Sequence, residues 1–118
     1  MSYYKNLHIW QKSMDLVDNV YSITKNFPKE EIYGLTNQIR RAAVSVPSNI
    51  AEGAGRNSDA QFTNFLSYSN GSTLELETQL IISNRQGFLN ESDLIEITKL
   101  IEDIQKMNYK LQNKLNGK

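Results

Sequence analysis

The single imidazole of this chain is His8, and there is no cysteine. Those two facts remove most side-chain chemistry. A serine or threonine nucleophile needs a positioned base beside it, and His8 is the one imidazole that could serve. Lysine or carboxylate bases remain formally open, but neither a nucleophile elbow nor a Gly-x-x-x-x-Gly-Lys phosphate loop accompanies them. Without cysteine, disulfide frameworks, thiolate zinc sites and iron–sulfur clusters are excluded. A di-iron helical bundle needs two Glu-x-x-His pairs projecting inward; the residue three before His8 is Lys5. Glu52-Gly53-Ala54-Gly55-Arg56 is glycine-rich but reads as a helix C-terminus. Glu75 and Glu77, two apart, lie on different faces of a helix and make no carboxylate pair. The residues therefore point to a non-enzymatic protein with no metal and no cofactor.

Two polar patterns could still bind something. The first is Gln38, Arg41, Ser45, Ser48 with Asn49, Glu52 and Arg56, at three- and four-residue steps. A solvated helix face would account for it, with Glu52 and Arg56 worth a few tenths of a kcal/mol as an i,i+4 pair. Short polar residues are poor helix formers, however, and a solvated face is built more readily from Lys, Gln or Glu. Ser45, Ser48 and Asn49 surround Pro47, which suggests groups placed to bond a freed carbonyl or another helix. On that reading Asn49 and Glu52 are structural, at a helix–helix or subunit contact. The second pattern is Lys106, Lys110, Lys114 and Lys118, with no acid after Asp103. Cations at a helix C-terminus are ordinary. The alternative is a basic stripe for phosphate, to which Arg40, Arg41, Arg56 and Lys12 could add.

Such stripes need helices to carry them, and hydrophobic period supplies four. Leu7, Trp10, Met14, Val17, Tyr21 and Thr24 form a three-four alternation, widened by Val20 and Ile23. Pro28 ends that helix and, with Lys29-Glu30-Glu31, makes a good first turn for the next. The second stripe is Ile32, Leu35, Ile39, Ala42, Val46 and Ile50, with a bend expected near Val44–Pro47. Gly53 and Gly55 should end it. Ser58-Asp59-Ala60-Gln61 has capping-box spacing before Phe62, Leu66, Ser69, Thr73, Leu76 and Leu80. That stripe holds phase across Asn70-Gly71, so Gly71 reads as a small residue at a close contact within one helix. Gly87 is the stop, Asn90 or Ser92 the next cap, and Leu94, Ile97, Ile101, Ile104, Leu111 and Leu115 the last stripe. The spacing predicts helices over about residues 5–26, 29–54, 59–86 and 91–115. Loops this short force antiparallel neighbours. The expected fold is all-α, an up-down-up-down four-helix bundle forming one domain over residues 1–118.

Composition agrees. A chain of 118 residues builds one core without metal or disulfide staples. Its 13 Lys+Arg balance 13 Asp+Glu, which argues against coating nucleic acid by bulk charge. The balance is uneven along the chain: +1 over residues 1–27, +1 over 28–57, −2 over 58–88 and 0 over 89–118. No run is apolar enough to span a membrane, and the N-terminus lacks the apolar stretch of a secretory signal, so a cytoplasmic protein is expected.

Leu7-His8-Ile9-Trp10-Gln11-Lys12 and the run from Phe27-Pro28-Lys29 to Arg40-Arg41-Ala42-Ala43 resemble the bacterial four-helix-bundle protein family. Its members include proteins encoded in intervening sequences of large-subunit ribosomal RNA genes. Ser45-Val46-Pro47-Ser48-Asn49-Ile50-Ala51-Glu52-Gly53-Ala54-Gly55-Arg56 is similar to the family's central signature, and Gly71-Ser72 with Leu74-Glu75-Leu76-Glu77 to its third-helix motif. The resemblance implies a homopentamer of bundles around a central channel. It also implies kinship with the accessory protein of diversity-generating retroelements, a basic pentamer held to bind nucleic acid and reverse transcriptase. The neutral charge of this chain departs from that relative. The leading expectation is an RNA- or DNA-associated homopentamer, with Arg40, Arg41, Arg56, Lys106, Lys110 and Lys114 on phosphate. The competing one is a protein-interaction scaffold anchored by exposed Tyr3, Tyr4 and Tyr33.

Overall fold

The computed structural model describes residues 3–117. Its helices are α1 (His8–Thr24), α2 (Leu35–Ala54), α3 (Asp59–Arg85) and α4 (Glu91–Leu115), with short 3₁₀ turns at Tyr3–Asn6 and Lys29–Glu31. Each helix packs on its sequence neighbours and α4 closes back on α1, while the backbones of diagonal helices stay apart. The seams run antiparallel. Val46 faces Ser69 while Gly53 faces Phe62, and Thr73 meets Gln105 while Leu66 meets Asn108. The result is an all-α bundle of 44 × 23 × 20 Å. Lys118, the last rung of the lysine ladder, lies outside the described residues, as do Met1 and Ser2 of the N-terminus.

The core is a single cluster drawn from all four helices, with Leu16, Val20, Ile39, Val46, Ile50, Leu66, Leu76, Leu80, Ile101 and Ile104 fully buried. The α3 stripe from Phe62 to Leu80 faces inward as its spacing predicts. The α1 stripe does so in part: Val20 and Thr24 are buried, and Leu7, Trp10, Val17 and Ile23 pack half-buried against the core. Ile9, Ser13, Leu16, Val20 and Thr24 face the core, whereas Met14 and Tyr21 are exposed. The buried face also takes in Ser13, which like Thr24 turns its hydroxyl back onto a carbonyl of its own helix (Ile9 and Val20, each at 2.7 Å) and so enters the core satisfied. The alternation thus leaves out Ile9, Ser13 and Leu16, which are buried, and includes Met14 and Tyr21, which face outward.

The second helix begins later than its proline suggests. Lys29–Glu31 closes only a 3₁₀ turn, and α2 starts after Gly34. There the Glu31 carboxylate accepts from the Leu35 N–H at 3.2 Å, so the acid caps the helix from outside it. Ile32 consequently falls before α2 and is exposed. At the other end α2 passes through Pro47 and Gly53 to Ala54. Gly53 is a contact residue, not a stop: a Cβ there would lie 2.6 Å from Phe65 Cβ and 3.0 Å from Phe62 Cδ1. Gly71, expected at a close contact, has nothing within 4 Å of that position.

The remaining ends follow the sequence closely. Ser58 Oγ accepts from Gln61 N at 3.2 Å and Asn90 Oδ1 from Asp93 N at 2.8 Å. At the end of α3, Gly87 takes φ +83 while Phe88 N–H reaches Ser83 O at 2.9 Å and Gly87 N–H reaches Asn84 O at 3.1 Å. This is the paired-bond termination that a left-handed glycine permits.

Candidate nucleic-acid interface

The six cations proposed for phosphate do not form one surface. Arg40 is half-buried in the α1–α2 seam, where its Nε donates to Thr24 Oγ1 at 2.9 Å and its guanidinium lies 4.7 Å from the Tyr21 ring centre. Arg56 pairs with Glu52 at 3.2 Å and stacks 4.7 Å over Phe65. Both are occupied by partners in their own protomer. Arg41 is exposed and enters neither of the ion pairs among the described residues. It lines a groove of about 470 Å³ between α2 and α3 with Asn37, Gln38, Ser45, Ser72 and Glu75. Lys106, Lys110 and Lys114 are exposed on α4, diagonal to α2. Arg41 and the lysines thus belong to separate surfaces.

The expected polar network around Pro47 closes within α2. Ser45 Oγ donates to Ala42 O at 2.7 Å, Asn49 Nδ2 to Ser45 O at 2.8 Å, and Glu52 pairs with Arg56 one turn on. Ser48 is exposed. The bond that crosses to another helix comes from α3, where buried Ser69 Oγ donates to Val46 O at 2.9 Å. Tyr4 is half-buried, edge-on to Trp10 at 5.4 Å, so it is no exposed anchor. Tyr33 remains 92% exposed.

A second set of residues, unremarked in the sequence, meets on α3 and α4. Asn108 is buried and donates through Nδ2 to Leu66 O at 2.8 Å, while its Oδ1 accepts from Gln112 Nε2 at 2.6 Å. Gln105 Nε2 donates to Thr73 Oγ1 at 3.1 Å. These side chains, with Asn70, Leu74, Tyr109, Asn113 and Asn116, line a groove of about 370 Å³. The signal was present: Asn108 stands one turn after Ile104 in the apolar stripe, and Gln105, Asn108, Gln112 and Asn116 keep three-four spacing. Tyr109, between these amides and Lys106 and Lys110, is 69% exposed. Among the described residues no three His, Asp or Glu side chains cluster in a way that could hold a metal. No helix there is long and apolar enough to cross a membrane.

Residues 5–110 match the family described as 23S rRNA-intervening sequence protein. This chain belongs to that family. A solved structure from Bacteroides thetaiotaomicron VPI-5482, described as a protein of unknown function from the S23 ribosomal protein family, has the same fold, with a TM-score of 0.79. It is 21% identical, and the match covers 88% of this chain and 97% of that one. No curated protein matches the sequence. Membership agrees with the resemblance carried by the Ser45–Arg56 signature, and the structure places that signature where α2 meets α3.

Proposed function

We propose that this intervening-sequence protein is a non-enzymatic, cytoplasmic, homopentameric module that associates with RNA. The observation that carries RNA association is the row Lys106, Lys110 and Lys114. These lysines are exposed along one helix and unpaired with any acid among the described residues, in a chain whose net charge is zero. Unpaired cations in a row can contact backbone phosphates and release their counterions. The family's description, which refers to 23S rRNA, supports the same direction. Titration against a structured RNA at several salt concentrations tests it. Affinity should fall as salt rises, because each phosphate contact releases a counterion. Absence of binding at low salt would end the reading.

Assembly is supported by apolar surface that one bundle leaves open. Met14, Tyr21 and Val44 are exposed beside the α1–α2 seam, and Ile81, Ile82 and Ile95 near the α3–α4 turn. A closed ring joins two different patches on each copy. Light scattering at micromolar concentration should give five times the protomer mass; a monomeric mass rejects the ring. The alternative, a scaffold that recognises a partner protein, is favoured by Tyr33, which stands almost wholly in solvent. A partner that stays bound after nuclease treatment would support it.

A further inference from the structure

The α3–α4 groove and the lysine row share a border at Tyr109, and that junction has the chemistry of a nucleobase site. Resting on the RNA reading above, we infer that the groove binds unpaired RNA, with a base stacked on Tyr109, phosphates on Lys106 and Lys110, and base edges against the amides. Among the described residues Tyr109 is the most exposed large apolar side chain after Tyr33. Lys106 and Lys110 stand three residues before it and one after it, and all three line one groove of about 520 Å³ with Glu102 and Gln105. An aromatic face flanked by cations is a stacking platform for a single strand, whose bases are free to leave the helical stack. A duplex keeps its bases stacked and offers Tyr109 nothing to cover.

The amides make the site more than a charged patch. Gln105, Asn108 and Gln112 are held by hydrogen bonds to Thr73, Leu66 and each other, which fixes the groove wall. Asn113 and Asn116 lie on the same wall, with Asn70 opposite on α3. With Asn108 buried and its amide spent on the fold, the base edge falls to Asn70, Asn113 and Asn116, whose amides each offer a donor and an acceptor. Protein–protein docking is the competing use of Tyr109 and Leu74. Against it, the groove wall is mostly amide, and the apolar patch at Ile95 lies about 21 Å away along α4 at 1.5 Å per residue. Glu102 bounds the lysine side of the groove and sets the end where a phosphate is disfavoured.

The test compares a mixed-sequence single-stranded RNA of about a dozen nucleotides with the duplex it forms with its complement, at low salt. The single strand should bind more tightly. Tyr109→Ala should weaken it by about tenfold, within the range of one lost base stack, and Tyr109→Phe should leave it nearly unchanged. Lys106→Gln with Lys110→Gln should reduce the salt slope by about 1.4, two single-strand phosphates' worth. Circular dichroism confirms that each variant is folded. Equal binding of duplex and single strand, with Tyr109→Ala indistinguishable from the parent, overturns this site but leaves RNA association standing. Binding of neither form by the parent protein removes the RNA reading and this site together. A fall in assembly mass on Tyr109→Ala, with RNA affinity unchanged, assigns the face to contact between copies and overturns the inference.

Discussion

Gly53→Ala should lower the melting temperature, while Gly71→Ala, at the other glycine inside a helix, should raise it. Both positions are helical, so alanine gains about 0.5–1 kcal/mol of backbone entropy at each. What separates them is space. At Gly53 the new methyl would stand 2.6 Å from Phe65 Cβ, 3.0 Å from Phe62 Cδ1 and 3.3 Å from the Phe62 carbonyl. A Cβ is fixed to its backbone and cannot swing aside, so α2 and α3 must part along their most intimate seam. Overpacking of this kind costs about 1–3 kcal/mol, and the fixed neighbour places it toward the upper end. At Gly71 nothing lies within 4 Å, and the entropy gain stands alone. The two variants should differ by about 2–3 kcal/mol, which for a domain of this size is about 10 °C. Thermal denaturation of the two side by side checks it. Equal increases in melting temperature would mean that the α2–α3 contact yields freely.

The same pair of glycines shows what a sequence can disclose. Apolar period located all four helices, and the start of α4 fell where Asn90 capping places it. Period says which residues share a face, but not how near the neighbouring helix comes. Gly53 therefore read as a helix breaker and Gly71 as a contact, whereas Gly53 is the close contact and Gly71 stands in open space within α3. On α1 the difficulty was of another kind. Ser13 satisfies its hydroxyl on its own helix, which makes it a buried residue that looks exposed, and the buried face runs through Ile9, Ser13 and Leu16 beside the alternation. Charge behaved similarly at the candidate site. Six cations were visible in the sequence, but only tertiary packing shows that Arg40 is held by Thr24 and Tyr21 and Arg56 by Glu52 and Phe65. Amides carry no charge and break no period outright, and for that reason the groove on α3 and α4 was the least legible feature.

Asn108→Asp should be among the most damaging single-atom exchanges in this bundle, because its nitrogen is the buried donor that ties α4 to the α3 backbone. Asn108 is 2% exposed, and its Nδ2 reaches Leu66 O at 2.8 Å. Aspartate would put an oxygen where that donor stands. Two acceptors would then face each other in the core, with Gln112 the one donor shown on the side chain. A buried charge with so little compensation costs about 3–5 kcal/mol, a large share of the 5–15 kcal/mol that holds a domain of this kind together. Asn108→Ala removes the bond and leaves a small void, at about 2–3 kcal/mol. Asn108→Leu keeps the volume and buries no unpaired atom of its own, while Leu66 O lies within α3 and has its place in the helical ladder, so about 1 kcal/mol is expected. Urea denaturation at neutral pH should rank the three with Asp the least stable, Ala next and Leu closest to the parent. An Asp variant as stable as the Leu variant would show that water reaches this position and that the amide is no anchor. The Leu variant carries the functional consequence as well: it keeps α4 docked but removes the oxygen that orients Gln112, so any loss of single-stranded RNA affinity in it reports on the amide wall and not on the fold.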